Sequence, residues 1–338
     1  MIDLLVAGAG PAGAATAIRA ALAGLSVVVV EPRRGPIDKA CGEGVAHSAV
    51  EYLQRLGVRL EGRPYAGIRY LDSSHCVDAR FRAGPGLGVR RTVLQAALLD
   101  RLAALEVPVI TGRVDAISQN GSSVTAAGLT ARYLAAADGL HSPIRRQLGL
   151  GLDRSGQVRR GLRRHFSTAP WTELVEVYWS PLGEAYVTPV ADDLVGVAVL
   201  TSARGSFDSH LEAFPALKRR LEGASPASEV MGAGPLRQRV RRRVAGRVLL
   251  VGDAAGYVDA LTGEGIAVAL RTSAELVRCV SKDLPENYEA AWRRVSREAR
   301  FLTASLLWTR NRSLLAPRIV PAAAALPGVY GAIVNRLA

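Results

Sequence analysis

Ile2-Asp3-Leu4-Leu5-Val6-Ala7-Gly8-Ala9-Gly10-Pro11-Ala12-Gly13 is the stretch on which the fold turns. Ile2–Ala7 is short and almost wholly apolar, as a strand covered on both faces is. The glycines follow at once: Gly8 for a tight turn, Gly10 for close approach of main chain to a pyrophosphate, Gly13 for packing of the next helix on the strand. Pro11 suits a first helical turn, where its missing N–H costs nothing. The helix predicted over Ala12–Ala23 stops at Gly24, a good C-cap residue. A β-branched strand, Ser26–Val30, then ends in Glu31, 18 positions after Gly13. An acidic residue at about that spacing meets ribose hydroxyls in dinucleotide folds. Pro32 and Arg33 follow it, and Arg33 is a candidate for an adenosine phosphate.

Two later motifs narrow the ligand. Thr130–Ala137 reads as a strand running into Asp138-Gly139-Leu140-His141-Ser142-Pro143-Ile144-Arg145, where Asp138 can accept hydrogen bonds, Gly139 allows a turn and Arg145 can meet phosphate. Val248–Val251 runs into Gly252-Asp253-Ala254-Ala255, with Asp253 placed for a ribityl or ribose hydroxyl. Gly263-Glu264-Gly265-Ile266 then opens a helix whose positive end can face charge developing on a reduced flavin. One glycine loop indicates a dinucleotide; the three motifs in this order indicate FAD and an oxidoreductase.

On these residues the chain resembles the FAD-dependent para-hydroxybenzoate-hydroxylase superfamily over nearly its full length. The resemblance implies an α/β fold: a Rossmann-type FAD-binding domain with an inserted antiparallel β-sheet substrate domain. It further implies that Arg91 contacts the pyrophosphate, that Val114 contacts adenine, and that the sheet over Arg159–Thr201 roofs the flavin. Lys39-Ala40-Cys41-Gly42-Glu43-Gly44-Val45 and Gly263-Glu264-Gly265-Ile266 are similar to the geranylgeranyl-reductase-like branch. That branch places Cys41, Gly42 and Glu43 near the flavin and includes monooxygenases as well as reductases. The segment Glu184-Ala185-Tyr186-Val187-Thr188-Pro189-Val190 stands where isoprenoid reductases carry an aromatic-x-Trp-x-Phe-Pro pattern, and the halogenase Trp-x-Trp-x-Ile-Pro pattern is absent too. The departure points away from double-bond reduction.

The chain has 338 residues, 49% of them hydrophobic, so two lobes are expected. We divide it into an FAD-binding domain made of residues 1–65, 85–155 and 240–285, a sheet domain of 66–84 and 156–239, and a helical segment over 286–338. Four strands are expected in the sheet domain, over Arg159–Thr168, Leu174–Trp179, Ala185–Val190 and Leu194–Thr201, and Phe207–Arg220 reads as one helix. Asn120-Gly121 marks a hairpin turn. The three cysteines form no CxxC pair and show no metal spacing, so no metal is expected. Met1 runs straight into the first strand, so we expect no signal peptide and a cytoplasmic protein, with the inner face of the membrane as a further location. Net charge is +13. It serves attraction to anionic cofactors, an acidic carrier or an anionic membrane surface, or is a solvated arginine-rich surface; no nucleic-acid motif accompanies it. Arg237–Arg243 reads as a solvated connector, with a phosphate or membrane contact as the alternative. Oligomeric state is not legible.

The cofactor-binding candidates are therefore Gly8, Gly10, Pro11, Ala12, Gly13, Glu31, Pro32, Arg33, Cys41, Gly42, Glu43, Arg91, Val114, Asp138, Gly139, Gly252, Asp253, Gly263, Gly265 and Ile266. Cys41 and Tyr186 are the catalytic candidates, each with an ordinary packing role as the alternative; Glu43 is a ligand contact or a solvated carboxylate. Glu264 is a proton carrier or a helix-start carboxylate. Three functions follow. The first is an FAD-dependent monooxygenase placing one oxygen atom on a small hydrophobic aromatic or polyketide-like substrate, with NADPH or NADH as electron donor. The second is a reductase of isoprenoid double bonds. The third, of another class, is a flavin redox sensor or membrane-associated binding protein without turnover.

Overall fold

The computed structural model describes residues 1–153 and 157–337. The proposed domain boundary between 155 and 156, and Ala338, lie outside the described residues. Val244–Ala245, Val248–Leu250, Leu129–Ala136, Ile2–Ala7, Val27–Glu31 and Val109–Thr111 lie side by side in one sheet, parallel except for the first pair. Leu5 sits beside Leu134 on one side and Val28 on the other. Leu4, Leu5, Val6, Leu134 and Leu249 are fully buried. The near-continuous apolar runs are explained by this double coverage. Pro11–Leu22, Arg91–Ala104 and Gly265–Ser281 supply covering helices. The strand ends Ala7, Glu31, Ala136 and Leu250 fall on one edge, which brings the three motifs together, as open parallel sheets place their ligands. The Asn120-Gly121 hairpin joins Ile117–Gln119 to Val124–Ala126, with Asn120 Oδ1 accepting from the Ser122 and Ser123 amides at 2.9 and 2.8 Å.

The second sheet, the roof, runs in the order Ser225–Pro226, Arg160–Ser167, Leu194–Thr201, Gly183–Ala191, Val175–Ser180, Gly67–Leu71, Cys76–Arg80. It is not wholly antiparallel: Val175–Ser180 and Gly67–Leu71 pair in parallel, because the latter strand arrives from the nucleotide half rather than through a hairpin. Nor is Phe207–Arg220 one helix. It is two, Phe207–Leu211 and Pro215–Arg220, since Pro215 cannot continue a helix and begins a new one.

Period-two alternation sorts the roof's side chains. Ala185, Val187, Val195, Val197 and Val199 pack with Phe207, Phe214 and Leu217 on one face. The other face carries Arg163, His165, Glu184, Tyr186 and Thr188 and is covered by the nucleotide half, so these polar groups are buried or nearly so. The long helix Asn287–Arg310 packs on Gly265–Ser281, and the shorter helices Ile319–Ala325 and Pro327–Leu337 cover the roof's edge strand Cys76–Arg80.

Candidate functional site

The glycine loop closes tightly. Gly8 has φ +106°, and a Cβ there would lie 2.6 Å from the Ala137 carbonyl oxygen. A Cβ on Gly13 would lie 1.8 Å from the Gly8 carbonyl oxygen, closer than any side chain tolerates. Gly10 differs: its Cβ position meets only Arg91 Nη2, at 3.7 Å. The space over Gly10, Pro11 and Ala12 at the start of the helix is thus bounded by a guanidinium, whose buried Nε finds no hydrogen-bond partner among the described residues. Unpaired helix N–H groups and an arginine with spare donors make a diphosphate cradle.

Glu31 sits beside it, buried, with Oε2 accepting from the Ala9 amide at 2.8 Å and Oε1 from Arg33 Nε at 3.0 Å. Ala9, Glu31, Arg33, Gln95, Val109 and Thr111 help line a cleft of about 200 Å³. Pro32 is exposed beside it, and the Val114 side chain packs into the nucleotide core.

The later motifs converge on the same cradle. A Cβ on Gly252 would lie 2.5 Å from Ala12 Cβ, and one on Gly139 would lie 3.1 Å from Lys39 Nζ. Lys39 was not singled out from sequence. Its side chain is exposed in area, yet its ammonium stands in the cleft, where desolvation first and Arg33 next lower its pKa, with Arg91 also opposing its charge and Asp253 and Glu31 favouring it. Burial raises the Asp253 carboxyl, opposed by Lys39, Arg91 and Arg145. An anion held among Lys39, Arg33 and Arg91 relieves their mutual repulsion. The signal in the sequence was a lysine opening the Cys-Gly-Glu-Gly stretch.

Asp138 does less for a ligand than its motif implies. Its carboxylate accepts from Ser142 Oγ at 2.6 Å and the Ile144 amide at 3.0 Å, bracing a short helix. Arg145 is not a phosphate contact: it is buried, donating to the Ala254 and Leu140 carbonyls at 3.0 and 2.9 Å and to Gln238 Oε1 at 2.7 Å. A guanidinium whose donors meet carbonyls clamps the middle motif to the late one. Arg243 likewise is no solvated connector; it donates to the Ala255 carbonyl and Glu289 and lies 3.9 Å over the Trp292 ring. Gly263 takes φ +71° just before the helix that Gly265 begins, and Ile266 packs against the nucleotide core.

Glu43 is buried, so the solvated alternative falls. Oε1 accepts from the Arg91 amide at 2.9 Å, capping the positive end of helix Arg91–Ala104. Oε2 pairs with His165 Nε2 on the roof at 2.6 Å, and His165 Nδ1 meets Ser228 Oγ at 2.9 Å. Arg163 extends the cluster to Asp38 and to the Lys39 carbonyl at 3.2 Å. Thr188 Oγ1 donates to the Gly42 carbonyl at 2.7 Å. The loop 38–43 is therefore held to the roof at three points. Cys41 lies on it, half-buried, and burial raises its pKa, so the sulfur keeps its proton at neutral pH.

Tyr186 faces the nucleotide half, its hydroxyl donating to the Leu261 carbonyl at 2.7 Å. Burial holds that hydroxyl well above its ordinary pKa. Around it Val177, Trp179, Leu261, Tyr70 and Tyr257 form an aromatic and aliphatic cluster between the roof and the late motif. A second charged cluster borders this one: Glu184 takes Arg159 at 2.6 Å and also Arg310, while Arg159 reaches Asp259 at 3.0 Å. Two cations balance two anions, all largely buried. Among the described residues no group of three or more metal-ligating side chains occurs.

A family profile described as an FAD binding domain matches residues 1–83. A menaquinone reductase of Mycolicibacterium smegmatis is 29% identical over 327 residues, spanning 86% of this chain and 79% of the relative. A digeranylgeranylglycerophospholipid reductase of Methanopyrus kandleri is 30% identical over 305 residues, 79% of this chain and 77% of the relative. A 3-(3-hydroxy-phenyl)propionate/3-hydroxycinnamic acid hydroxylase of Mycobacterium avium is 28% identical over 81% of this chain but only 54% of the relative. Among solved structures, a flavoprotein/dehydrogenase from Cytophaga hutchinsonii shares the fold, with TM-score 0.80, 19% identity, and coverage of 90% of this chain and 85% of that one. The cradle described above fits FAD: an open glycine face, a cationic triad and acceptors for ribose and ribityl hydroxyls.

Proposed function

Because the chain belongs to the geranylgeranyl-reductase-like branch of the FAD-dependent para-hydroxybenzoate-hydroxylase superfamily, we propose that this FAD-dependent oxidoreductase saturates carbon–carbon double bonds in the prenyl chain of a lipid or quinone. The observation that carries the reading is the pair of reductase relatives, each matched over more than three quarters of its length. Menaquinone and digeranylgeranyl lipids have a prenyl chain in common. The hydroxylation favoured by the sequence motifs has a relative behind it too, but one matched over about half its length.

FAD, when bound, would supply the hydride chemistry, with NADPH or NADH as the proposed electron donor. The chain's own residues do the rest. Lys39, Arg33 and Arg91 would hold the diphosphate; Glu31 and Asp253 would accept from sugar and ribityl hydroxyls. The positive end of the helix beginning at Gly265 would favour negative charge on the cofactor. Tyr70, Trp179, Tyr186 and Tyr257 offer an apolar, water-excluding wall for an alkene. The second carbon needs a proton. Cys41 Sγ, on the loop tethered to the roof, is the donor we favour, with water returning a proton to the thiolate, whereas the Tyr186 hydroxyl donates to the Leu261 carbonyl.

Anaerobic incubation of the FAD-loaded enzyme with NADPH and a digeranylgeranyl lipid or menaquinone, followed by mass spectrometry, tests the reading. The expected product gains two hydrogens per bond reduced. A product one oxygen heavier, formed only in air, would establish the hydroxylase instead.

A further inference from the structure

The sequence from 299 onward contains five arginines, Arg300, Arg310, Arg312, Arg318 and Arg336, and no aspartate or glutamate; Arg310 is taken up by Glu184, Arg336 faces Glu298 and Arg300 stacks on Trp292, while Arg312 and Arg318 are exposed. The structure shows what that stretch presents to solvent. On helix Asn287–Arg310 the buried stripe is Ala299, Thr303 and Leu307, while Phe301 is 68% exposed and Trp308 56%. On helix Pro327–Leu337, Tyr330 and Val334 are buried against the roof's edge strand, while Val329 and Ile333, one turn apart, are exposed. Leu314 and Leu326, in the connections between helices, are exposed as well. Arg336 reaches Glu298 at 3.7 Å, so the end of the last helix sits beside the long one and the two apolar stripes belong to neighbouring elements. Exposed single apolar residues need no explanation, but this many on one acid-free segment do.

We propose that this C-terminal surface docks on an anionic lipid bilayer, lying in its interface. Among the described residues no single helix is long and apolar enough to cross a membrane. The pair Ala316–Ala325 and Pro327–Leu337 has the composition, but is bent by 104° and anchored to the protein by Val320, Tyr330 and Val334. Anchored, bent and half-exposed, it lies flat. An aromatic ring at the rim, aliphatic side chains and arginines that neutralise headgroups are what interfacial segments combine. Trp308 stacks against Arg312 at 4.8 Å, which sets an amphipathic ring beside a cation. The charge selects the occupant: a second copy of this chain would bring the same arginines face to face, whereas anionic headgroups complement them. The inference stands apart from the proposed reaction, since it uses none of the residues assigned to the flavin site.

The experiment is sedimentation of the FAD-loaded protein with vesicles of phosphatidylcholine alone or mixed with phosphatidylglycerol, at low and high salt. Two variants accompany it: F301S/W308S/L326S/I333S, and R312Q/R318Q. FAD content and melting temperature verify that both fold. We expect binding to mixed vesicles, weakened by salt, and lost by roughly tenfold or more in each variant. No binding by the wild-type protein overturns the proposal, as does binding to both vesicle types without salt dependence. Unchanged binding by the folded variants places the contact elsewhere and overturns it too. A dimer that the apolar variant converts to a monomer, with no vesicle binding, assigns the surface to self-association.

Discussion

The nucleotide half and the roof bury polar groups for different reasons. In the nucleotide half they line a cleft: Lys39, Arg33 and Arg91 stand together, with Glu31, which Arg33 pairs at 3.0 Å, and Asp253 among them. In the roof they satisfy one another. Glu184 is shared by Arg159 and Arg310, and Glu43 is shared by His165 and the Arg91 amide. The first arrangement opens onto a cleft; the second closes on itself through ion pairs, with Arg163 Nε and Trp179 Nε1 left without a hydrogen-bond partner among the described residues.

That contrast can be broken in the seam first. Glu184→Ala leaves Arg159 and Arg310 buried with one carboxylate, Asp259, between them. Removing one partner of such a cluster costs about 3–5 kcal/mol, which thermal unfolding of the FAD-loaded protein will show as a large drop in melting temperature. An unchanged melting temperature would mean that the seam is not a stabilising contact. Gly13→Ala attacks the other half. The added Cβ cannot fit against the Gly8 carbonyl, and overpacking of about 3 kcal/mol translates into roughly a hundredfold weaker FAD binding, read by equilibrium dialysis.

Glu264 sharpens the comparison through pH. Desolvation raises its pKa from 4.5 to about 7, with Arg271 3.6 Å away as partial compensation. A carboxyl raised on folding stabilises below its unfolded pKa, and that contribution is lost as pH rises through the folded value. Stability should therefore fall between about pH 4.5 and 7, by an order of 3 kcal/mol. Glu264→Gln should flatten that slope in denaturant titrations; an unaltered slope would assign it to another group. Last, His165→Gln should cost about 1–2 kcal/mol and loosen loop 38–43 from the roof. FAD affinity is expected to change little, while turnover falls. A large loss of FAD with no change in turnover would show that Glu43 serves the cofactor and not the seam.

The nucleotide half was legible because its function is written in neighbours. Gly8, Gly10, Gly13 and Glu31 lie within one strand–helix–strand unit, and the strand ends that gather Asp138 and Gly252 follow from parallel pairing. The roof was not. Arg163 and His165 flank Arg164 in a strand rich in charge, as solvent-facing segments are, and only long-range pairing shows that the face carrying them and Glu184 is covered. His165 and Glu43 are 122 residues apart. Arg145, read as a phosphate contact, and Arg243, read as part of a solvated connector, misled for the same reason: their carbonyl partners are distant in sequence. The preference for hydroxylation leaned on a single departure, Glu184–Val190. In the fold, that strand's inward side chains include an ion-pair partner, Glu184, and a loop tether, Tyr186, so the segment reports on the seam as much as on the reaction.

The central claim is that electrons leave the flavin for an alkene. The direct measurement is to reduce the FAD-loaded enzyme chemically, exclude oxygen, add a digeranylgeranyl lipid and follow flavin absorbance. The account predicts that the oxidised spectrum returns without oxygen, in proportion to lipid added. A flavin that stays reduced until air is admitted would contradict it.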